Sequence, residues 1–283
     1  MYFKKKGKIY SSLIPMMGGS DFKVKDYPVC AVMKNKRSKK PSAILVEEKK
    51  QWHLRERVLS DSSGKSKVKS LQGNQYFSIF VCARSGRKLY FAHKKKSHYP
   101  LVYLKFVARV GRAPRLLVTD QADEILSKTM GVRLAAQGTD MEPVPKDEHS
   151  KLGSAERAID ETCRMVAVVM LEINVPKYAW DIVGEHCSLI NAVTQSCPTD
   201  SSITIYEAES GMIPDLDKIP PFGCVAIRYL RKLDRKDFKL SPKNQDGVFF
   251  GFATFSNGTY RSVLLIGDRR FVVAKKTMDF FHD

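Results

Sequence analysis

Long apolar runs and closely spaced cysteines are both missing from this chain of 283 residues. No stretch approaches the roughly 18 apolar residues of a membrane-spanning helix, and the start, MYFKKK, lacks the apolar centre of a signal peptide. The six cysteines stand singly, without the two-residue gap of zinc-binding pairs, so we expect reduced, buried thiols. These absences predict an intracellular protein, nuclear and cytoplasmic, with no membrane partner.

Acidic residues are outnumbered in this sequence. The 48 lysines and arginines exceed the 30 aspartates and glutamates, which gives a formal net charge of +18 and a pI near 9.6. A surface of this sign suits a polyphosphate, so nucleic acid is the first partner that the composition predicts. The apolar share of 43% is ordinary for a globular protein, and the length allows one sizeable core and a smaller module.

The composition changes along the chain and divides it into four predicted segments. Residues 1–54 are dominated by basic runs and are interpreted as a basic N-terminal arm. Residues 55–197 mix β-rich runs with helical periodicity, which predicts an α/β domain with helices on a mixed sheet. Residues 198–221 are rich in Pro, Ser, Asp and Gly and are interpreted as a linker. Residues 222–283 contain short, regularly spaced β-type runs, which predict a small barrel.

Three acidic residues stand at positions where active sites are often built. Asp61 and Asp120 each end a predicted strand, and Glu156 lies in the first turn of a predicted helix. Ligands of open α/β sheets gather at the carboxyl ends of strands, and the first turn of a helix can reach over them. We therefore predict that the three carboxylates form one site.

The sequence around these carboxylates resembles that of integrases from copia-type long-terminal-repeat retrotransposons. Thirty-five residues separate Asp120 from Glu156, which is similar to the D…D(35)E pattern of retroviral-type integrases. Three further motifs resemble the Src-homology-3-like domain that follows the integrase core in such polyproteins. The resemblance runs in order from about residue 21 to the end of the chain. The matching motifs are DSSG (61–64), SLQGNQYF (70–77), LVTD (117–120), GSAER (153–157), FGC (222–224), KLSPK (239–243) and GVFFGF (247–252).

This resemblance implies an RNase H-like integrase catalytic core, with a mixed five-stranded sheet flanked by helices, and then a small Src-homology-3-like β-barrel. It assigns Asp61, Asp120 and Glu156 as catalytic metal ligands, with Asp61 bridging two Mg²⁺ or Mn²⁺ ions roughly 3.5–4 Å apart. The implied reactions are 3′-end processing of the element's cDNA and strand transfer into host DNA. The implied partners are the cDNA ends and target DNA, on which copies of the chain assemble as a homo-oligomer.

Two groups of basic residues are predicted to contact DNA phosphates. One pair lies seven residues apart on the polar side of the helix that carries the third carboxylate. The other group belongs to the basic run of the arm, which fits a nuclear localisation signal equally well. The predicted contacts are Arg157 and Arg164 on the helix, and Lys34, Lys36 and Arg37 in the arm.

Two parts of the family pattern are incomplete in this chain. Residues 27–34 resemble the end of its His-His-Cys-Cys zinc module, but Tyr27 occupies the first cysteine position and Cys30 is the one ligand left. A tetrahedral zinc site needs four ligands, so we expect no zinc. Beside the second carboxylate, Gln121 and Ala122 follow where the family has an asparagine and a glycine.

Three interpretations remain open at this point. The chain is an active integrase, or it is a catalytically inactive relic that binds nucleic acid alone. A third interpretation, an RNase H-like nuclease, shares the carboxylates but does not need the downstream barrel, so the motifs after residue 222 count against it. Magnesium dependence separates the first two, because binding to phosphates depends on salt rather than on a bound metal.

Overall fold

The computed structural model describes residues 43–122, 125–145, 149–230, 243–254, 260–266, 270–273 and 278–281. These residues divide into two compact units, one ending at Pro214 and one beginning at Asp215. Among the helices in these ranges, none is both long and apolar enough to cross a membrane. The basic run with Lys34, Lys36 and Arg37 lies outside the described residues, as does the remnant of the zinc module.

A five-stranded mixed sheet forms the centre of the first unit. Its strands are β1 (Arg57–Ser62), β2 (Tyr76–Cys82), β3 (Lys88–His93), β4 (Leu116–Asp120) and β5 (Asp140–Val144). In space the order is β3-β2-β1-β4-β5. Strand β2 runs antiparallel to β1 and β3, whereas β1, β4 and β5 run parallel to one another. The architecture confirms the predicted RNase H-like mixed sheet.

Helices cover both faces of this sheet. The helices of the first unit are α1 (Ala43–Lys50), α2 (Tyr99–Val110), α3 (Lys128–Gln137), α4 (His149–Glu172), α5 (Trp180–Thr194) and α6 (Ile205–Ser210), of which α2 to α5 pack on the sheet. Successive strand residues point to opposite faces, so Val58 packs into a core with α2 and α3 while Leu59 packs into a second core with α4. Because both faces are buried, the end of β2 is apolar at every position rather than at every second one.

The segment predicted as a linker, 198–221, contains regular structure up to Ser210. A hairpin of β6 (Ser196–Cys197) and β7 (Asp200–Thr204) leads into α6, and both belong to the first unit. Helix α6 begins with a capping box, in which the Thr204 hydroxyl accepts from the Glu207 N–H at 3.0 Å and the Glu207 carboxylate accepts from the Thr204 N–H at 2.7 Å. Two satisfied N–H groups and the buried Ile205 give this polar segment a stable fold.

The second unit is a five-stranded antiparallel sheet with the order β11-β10-β9-β8-β12. Its strands are β8 (Val225–Tyr229), β9 (Asn244–Thr254), β10 (Tyr260–Ile266), β11 (Arg270–Val273) and β12 (Met278–Phe281). A small core of Cys224, Ala226 and Phe249, with Phe252 packed against it, lies on this sheet. The all-β prediction for residues 222–283 agrees with these strands, and closure into a Src-homology-3-like barrel stays a prediction.

Candidate active site

Neighbouring parallel strands place Asp61 and Asp120 at the same end of the sheet. The register pairs Ser60 of β1 with Thr119 of β4, and each of these residues directly precedes one of the two aspartates. Both aspartates are half-buried. Parallel pairing thus places two carboxylates that are 59 positions apart in the sequence at the same end of the sheet.

Buried hydroxyl groups lie beneath these two carboxylates. Ser60 and Thr119 are fully buried, and so is Tyr99 at the start of α2. Burial raises the pKa of Tyr99, so this phenol stays protonated at neutral pH. The backbone that carries Asp61 and Asp120 is therefore packed against buried, uncharged side chains.

Glu156 approaches the site from helix α4, whose packing sets its position. Ala155 and Ala158 lie three residues apart on α4, on either side of Glu156 in the sequence. Both are buried against the sheet, and their small side chains let the helix lie close to it. Glu156 itself is exposed. Helix α4 begins at His149, one turn earlier than the predicted helix start at Ser154, so Glu156 lies in the second turn rather than the first.

Electrostatics link the three carboxylates. Burial raises the pKa of Asp61 to about 6, and the charges of Asp120 and Glu156 act in the same direction. The Ser62 N–H, which donates to the Asp61 carboxylate at 2.7 Å, and the nearby Lys96 oppose this shift. Asp120 and Glu156 therefore both act on Asp61, whose environment disfavours its negative charge.

The donor set fits a hard divalent cation by its chemistry, because carboxylate oxygens are the ligands that Mg²⁺ prefers. A cation would also relieve the repulsion that raises the pKa of Asp61. Within the described part of the chain, however, no three His, Cys, Asp or Glu side chains are gathered closely enough to form a metal site. Binding would thus require side-chain movement of the kind expected when like charges face each other without a counterion.

The two arginines of α4 that were predicted to contact DNA differ in their exposure. Arg157 is exposed, and its Nε donates to the Gly153 carbonyl at 2.7 Å, so the side chain folds back along the helix. Arg164 is half-buried. Burial and the neighbouring Arg157 lower the pKa of Lys49 on α1, which shows that Arg157 lies near a second cation.

The loop after Asp61 is held in place by hydrogen bonds, two of which join it to α5. Within the SLQGNQYF motif, the Ser70 hydroxyl accepts from the Asn74 N–H at 3.0 Å, and the Asn74 amide donates to the buried Asp181 at 2.8 Å. The Trp180 indole donates to the Val68 carbonyl at 2.9 Å. These contacts hold the loop against α5, so Ser70 and Asn74 of the motif have a structural role.

Comparison with known proteins gives one sequence relative. No protein-family model matches this chain. The sequence is similar to the retrovirus-related Pol polyprotein from transposon TNT 1-94 of Nicotiana tabacum, with 26% identity over 246 residues. The match covers 85% of this chain and 18% of that polyprotein, so the chain spans less than a fifth of its relative's length.

Two solved structures also show a weak likeness. A simian T-cell lymphotropic virus intasome in complex with PP2A regulatory subunit B56 gamma gives a TM-score of 0.46 at 13% identity, over 80% of this chain and 78% of that chain. The HTLV-2 integrase catalytic core domain in complex with magnesium gives 0.43 at 14% identity, over 55% and 96%. Likenesses of this size assign no function. The sequence match shows that this chain is related, over most of its length, to part of a retrotransposon Pol polyprotein, as its motifs predicted.

Proposed function

We propose that this chain is an integrase that inserts a retrotransposon's cDNA into host DNA. The observation that carries the proposal is the parallel pairing of β1 and β4, which sets Asp61 beside Asp120 at one sheet end, with Glu156 close enough for its charge to act on Asp61. The relationship to a Pol polyprotein supports the same function.

The chemistry is displacement at a phosphodiester, with positioning and charge neutralisation as the main requirements. Asp61 would bridge two divalent cations, Mg²⁺ or Mn²⁺, and Asp120 and Glu156 would each complete the ligands of one. These cations would neutralise the attacking and leaving oxygens. The burial of Asp61 favours cation binding, because its carboxylate is poorly solvated without one.

Two successive reactions would use this site. In the first, water attacks a phosphorus atom near the cDNA 3′ end, and the broken P–O bond leaves a free 3′-hydroxyl. In the second, that hydroxyl attacks a phosphorus atom of target DNA, and the displaced oxygen leaves as a new 3′-hydroxyl. The proposed partners are therefore both DNA duplexes, with copies of the chain assembled as a homo-oligomer in the nucleus.

A second candidate function is DNA binding without catalysis. It is favoured by the sequence beside Asp120, where Gln121 and Ala122 replace residues of the family pattern and stiffen the loop. Such a relic would keep the basic surface and lose the ability to gather metal ligands.

Strand transfer of a labelled blunt DNA duplex into plasmid, in Mg²⁺ or Mn²⁺, tests the proposal. The wild type is expected to yield joined products, and Asp120→Asn and Glu156→Gln to yield none. Asp160→Asn is the matched control, since Asp160 is an exposed acid one turn beyond Glu156 on the same helix and should leave joining intact. If every protein binds the duplex and none joins it, the relic interpretation replaces the integrase.

A further inference from the structure

Two groups of lysines border the end of the sheet that carries Asp61. Lys65, Lys67 and Lys69 lie on the loop after β1, and residues 94–96, which are all lysines, follow β3. All six are exposed. We call these six residues the lysine surface.

The sheet topology brings the two groups together. Both β1 and β3 run antiparallel to β2, so their carboxyl ends lie at the same end of the sheet. The Gln75 N–H, at the end of the first loop, donates to the His93 carbonyl at 3.0 Å, directly before the second group. The Lys94 side chain passes beside Gly73, where an added Cβ would lie 3.6 Å from its Cε. The two groups of lysines therefore lie at the same end of the sheet, and the end of the first loop contacts the start of the second group.

The stretch of chain that carries this surface contains no acidic residue. Between Asp61 and Asp120 the sequence contains no aspartate or glutamate. In the part of the chain that the structure describes, the ion pairs involve none of the first three lysines and neither Lys94 nor Lys95. The sixth, Lys96, is near enough for its charge to act on Asp61, which places the surface beside the carboxylates.

The loop that carries the first group is held in place. Its Val68 carbonyl accepts from the Trp180 indole at 2.9 Å, and its Leu71 N–H donates to the Tyr178 carbonyl at 2.9 Å. The bond from Asn74 to the buried Asp181 fixes the far end of the loop. A cationic surface on a fixed backbone loses less entropy on binding than one on a mobile tail.

We propose that the lysine surface binds the phosphodiester backbone of duplex DNA and guides that duplex to Asp61 and Asp120. The inference rests on the proposed function and adds to it the surface along which the substrate lies. Closely spaced cations without intervening acids suit the dense phosphate charge of a duplex, and lysines that contact phosphates alone read no sequence. Binding by this surface is therefore independent of DNA sequence and sensitive to salt.

The test is the salt dependence of duplex binding by the full chain. A triple variant, Lys65→Gln, Lys67→Gln and Lys69→Gln, removes three charges and retains long polar side chains, while Lys96 stays because it acts on Asp61. The matched control, Lys50→Gln, Lys105→Gln and Arg112→Gln, removes three exposed charges elsewhere in the same unit. Affinity is measured over a series of salt concentrations, and circular dichroism checks that each variant is folded.

The expected result is a slope of log affinity on log salt that is about 2–3 smaller for the triple variant than for the wild type, because each lost phosphate contact removes roughly 0.9. The control should keep the wild-type slope. Equal slopes for the two variants overturn the inference, as does a wild type that does not bind duplex DNA. Binding to vesicles rich in anionic lipid is measured in parallel. A triple variant that loses binding to these vesicles but not to duplex DNA also overturns the inference. If the wild type does not transfer strands but the slope difference is present, the proposed function is rejected and the inference about the lysine surface stands.

Discussion

At Asp61 a structural cost coincides with the proposed role as a metal ligand. Its carboxylate is largely removed from water and faces two further acids, and its pKa rises to about 6. A residue selected for stability alone would not carry a charge here, since asparagine would fill the same space without it. The unfavourable environment is what a cation-binding carboxylate requires, because the bound cation then supplies the compensation that solvent does not.

Replacing Asp61 with asparagine is expected to stabilise the metal-free protein at neutral pH. The folded-state pKa of about 6 exceeds the ordinary value of 3.8, so ionisation disfavours the folded state. That penalty is fully present above about pH 6 and vanishes below about pH 4. We expect a gain of roughly 1 kcal/mol after solvent screening, or about 2–4 °C in Tm, at about pH 7.5 in EDTA.

The control for this prediction is Asp140→Asn, which removes an exposed carboxylate at the start of β5. Thermal unfolding of the three proteins at about pH 7.5 and about pH 4.5 gives the comparison. A gain for Asp61→Asn that persists unchanged at the lower pH would show that the side chain's charge is not its cause.

At the scale of elements, the contact between α5 and β3 depends on the absence of one side chain. Gly184 of α5 lies against the ring of Tyr90, and a Cβ added at Gly184 would stand 2.7 Å from the ring Cε2 and 2.8 Å from the hydroxyl oxygen. Both residues are buried. The helix that anchors the loop after Asp61 can therefore approach the sheet only because this position is glycine.

Gly184→Ala is expected to destabilise the protein, although alanine favours helix by about 1 kcal/mol. Overpacking against Tyr90 costs about 1–3 kcal/mol, which exceeds the helical gain. Gly131→Ala in α3 is the matched control, because a Cβ there meets nothing within 4 Å and should stabilise the protein. Urea unfolding measures the free energy of unfolding of both variants. A stabilised Gly184→Ala variant would mean that α5 packs less tightly against Tyr90 than described.

Local sequence patterns account for some elements of this fold and not for others. The β2–β3 hairpin depends on contacts that are local in sequence, and both of its strands are β-rich runs. The polar composition of residues 198–221 predicted a linker, yet the Thr204–Glu207 capping box starts a helix there. A threonine and a glutamate at this spacing are typical of a helix start, whereas polar composition alone does not distinguish a linker from a short helix.

At the scale of the whole molecule, metal binding and folding should be coupled. The folded state brings the charges of Asp120 and Glu156 near enough to act on Asp61, while the unfolded chain separates the three residues by 35 residues or more. A ligand that binds the folded state alone raises stability by RT ln(1 + [L]/Kd). Divalent cations should therefore stabilise the first unit even in the absence of DNA.

Saturating Mg²⁺ is expected to raise the Tm of the wild type, with a gain of about 2.7 kcal/mol at 100 times Kd. Because the chain carries a net charge of +18, added salt also changes its stability, so NaCl must keep the ionic strength constant. Asp120→Asn is the comparison and should respond less. Equal responses of the two proteins would place the Mg²⁺ effect outside the carboxylate site.

The sequence by itself determined the mixture of strands and helices, the excess of positive charge and the positions of the three carboxylates, because periodicity, composition and motif spacing are properties of the chain. The tertiary structure decided which strand ends meet. Only the order β3-β2-β1-β4-β5 sets Asp61 beside Asp120 and turns the lysines after β1 and β3 toward the same end of the sheet. Strand order arises from contacts between residues far apart in the chain, and no local pattern encodes it.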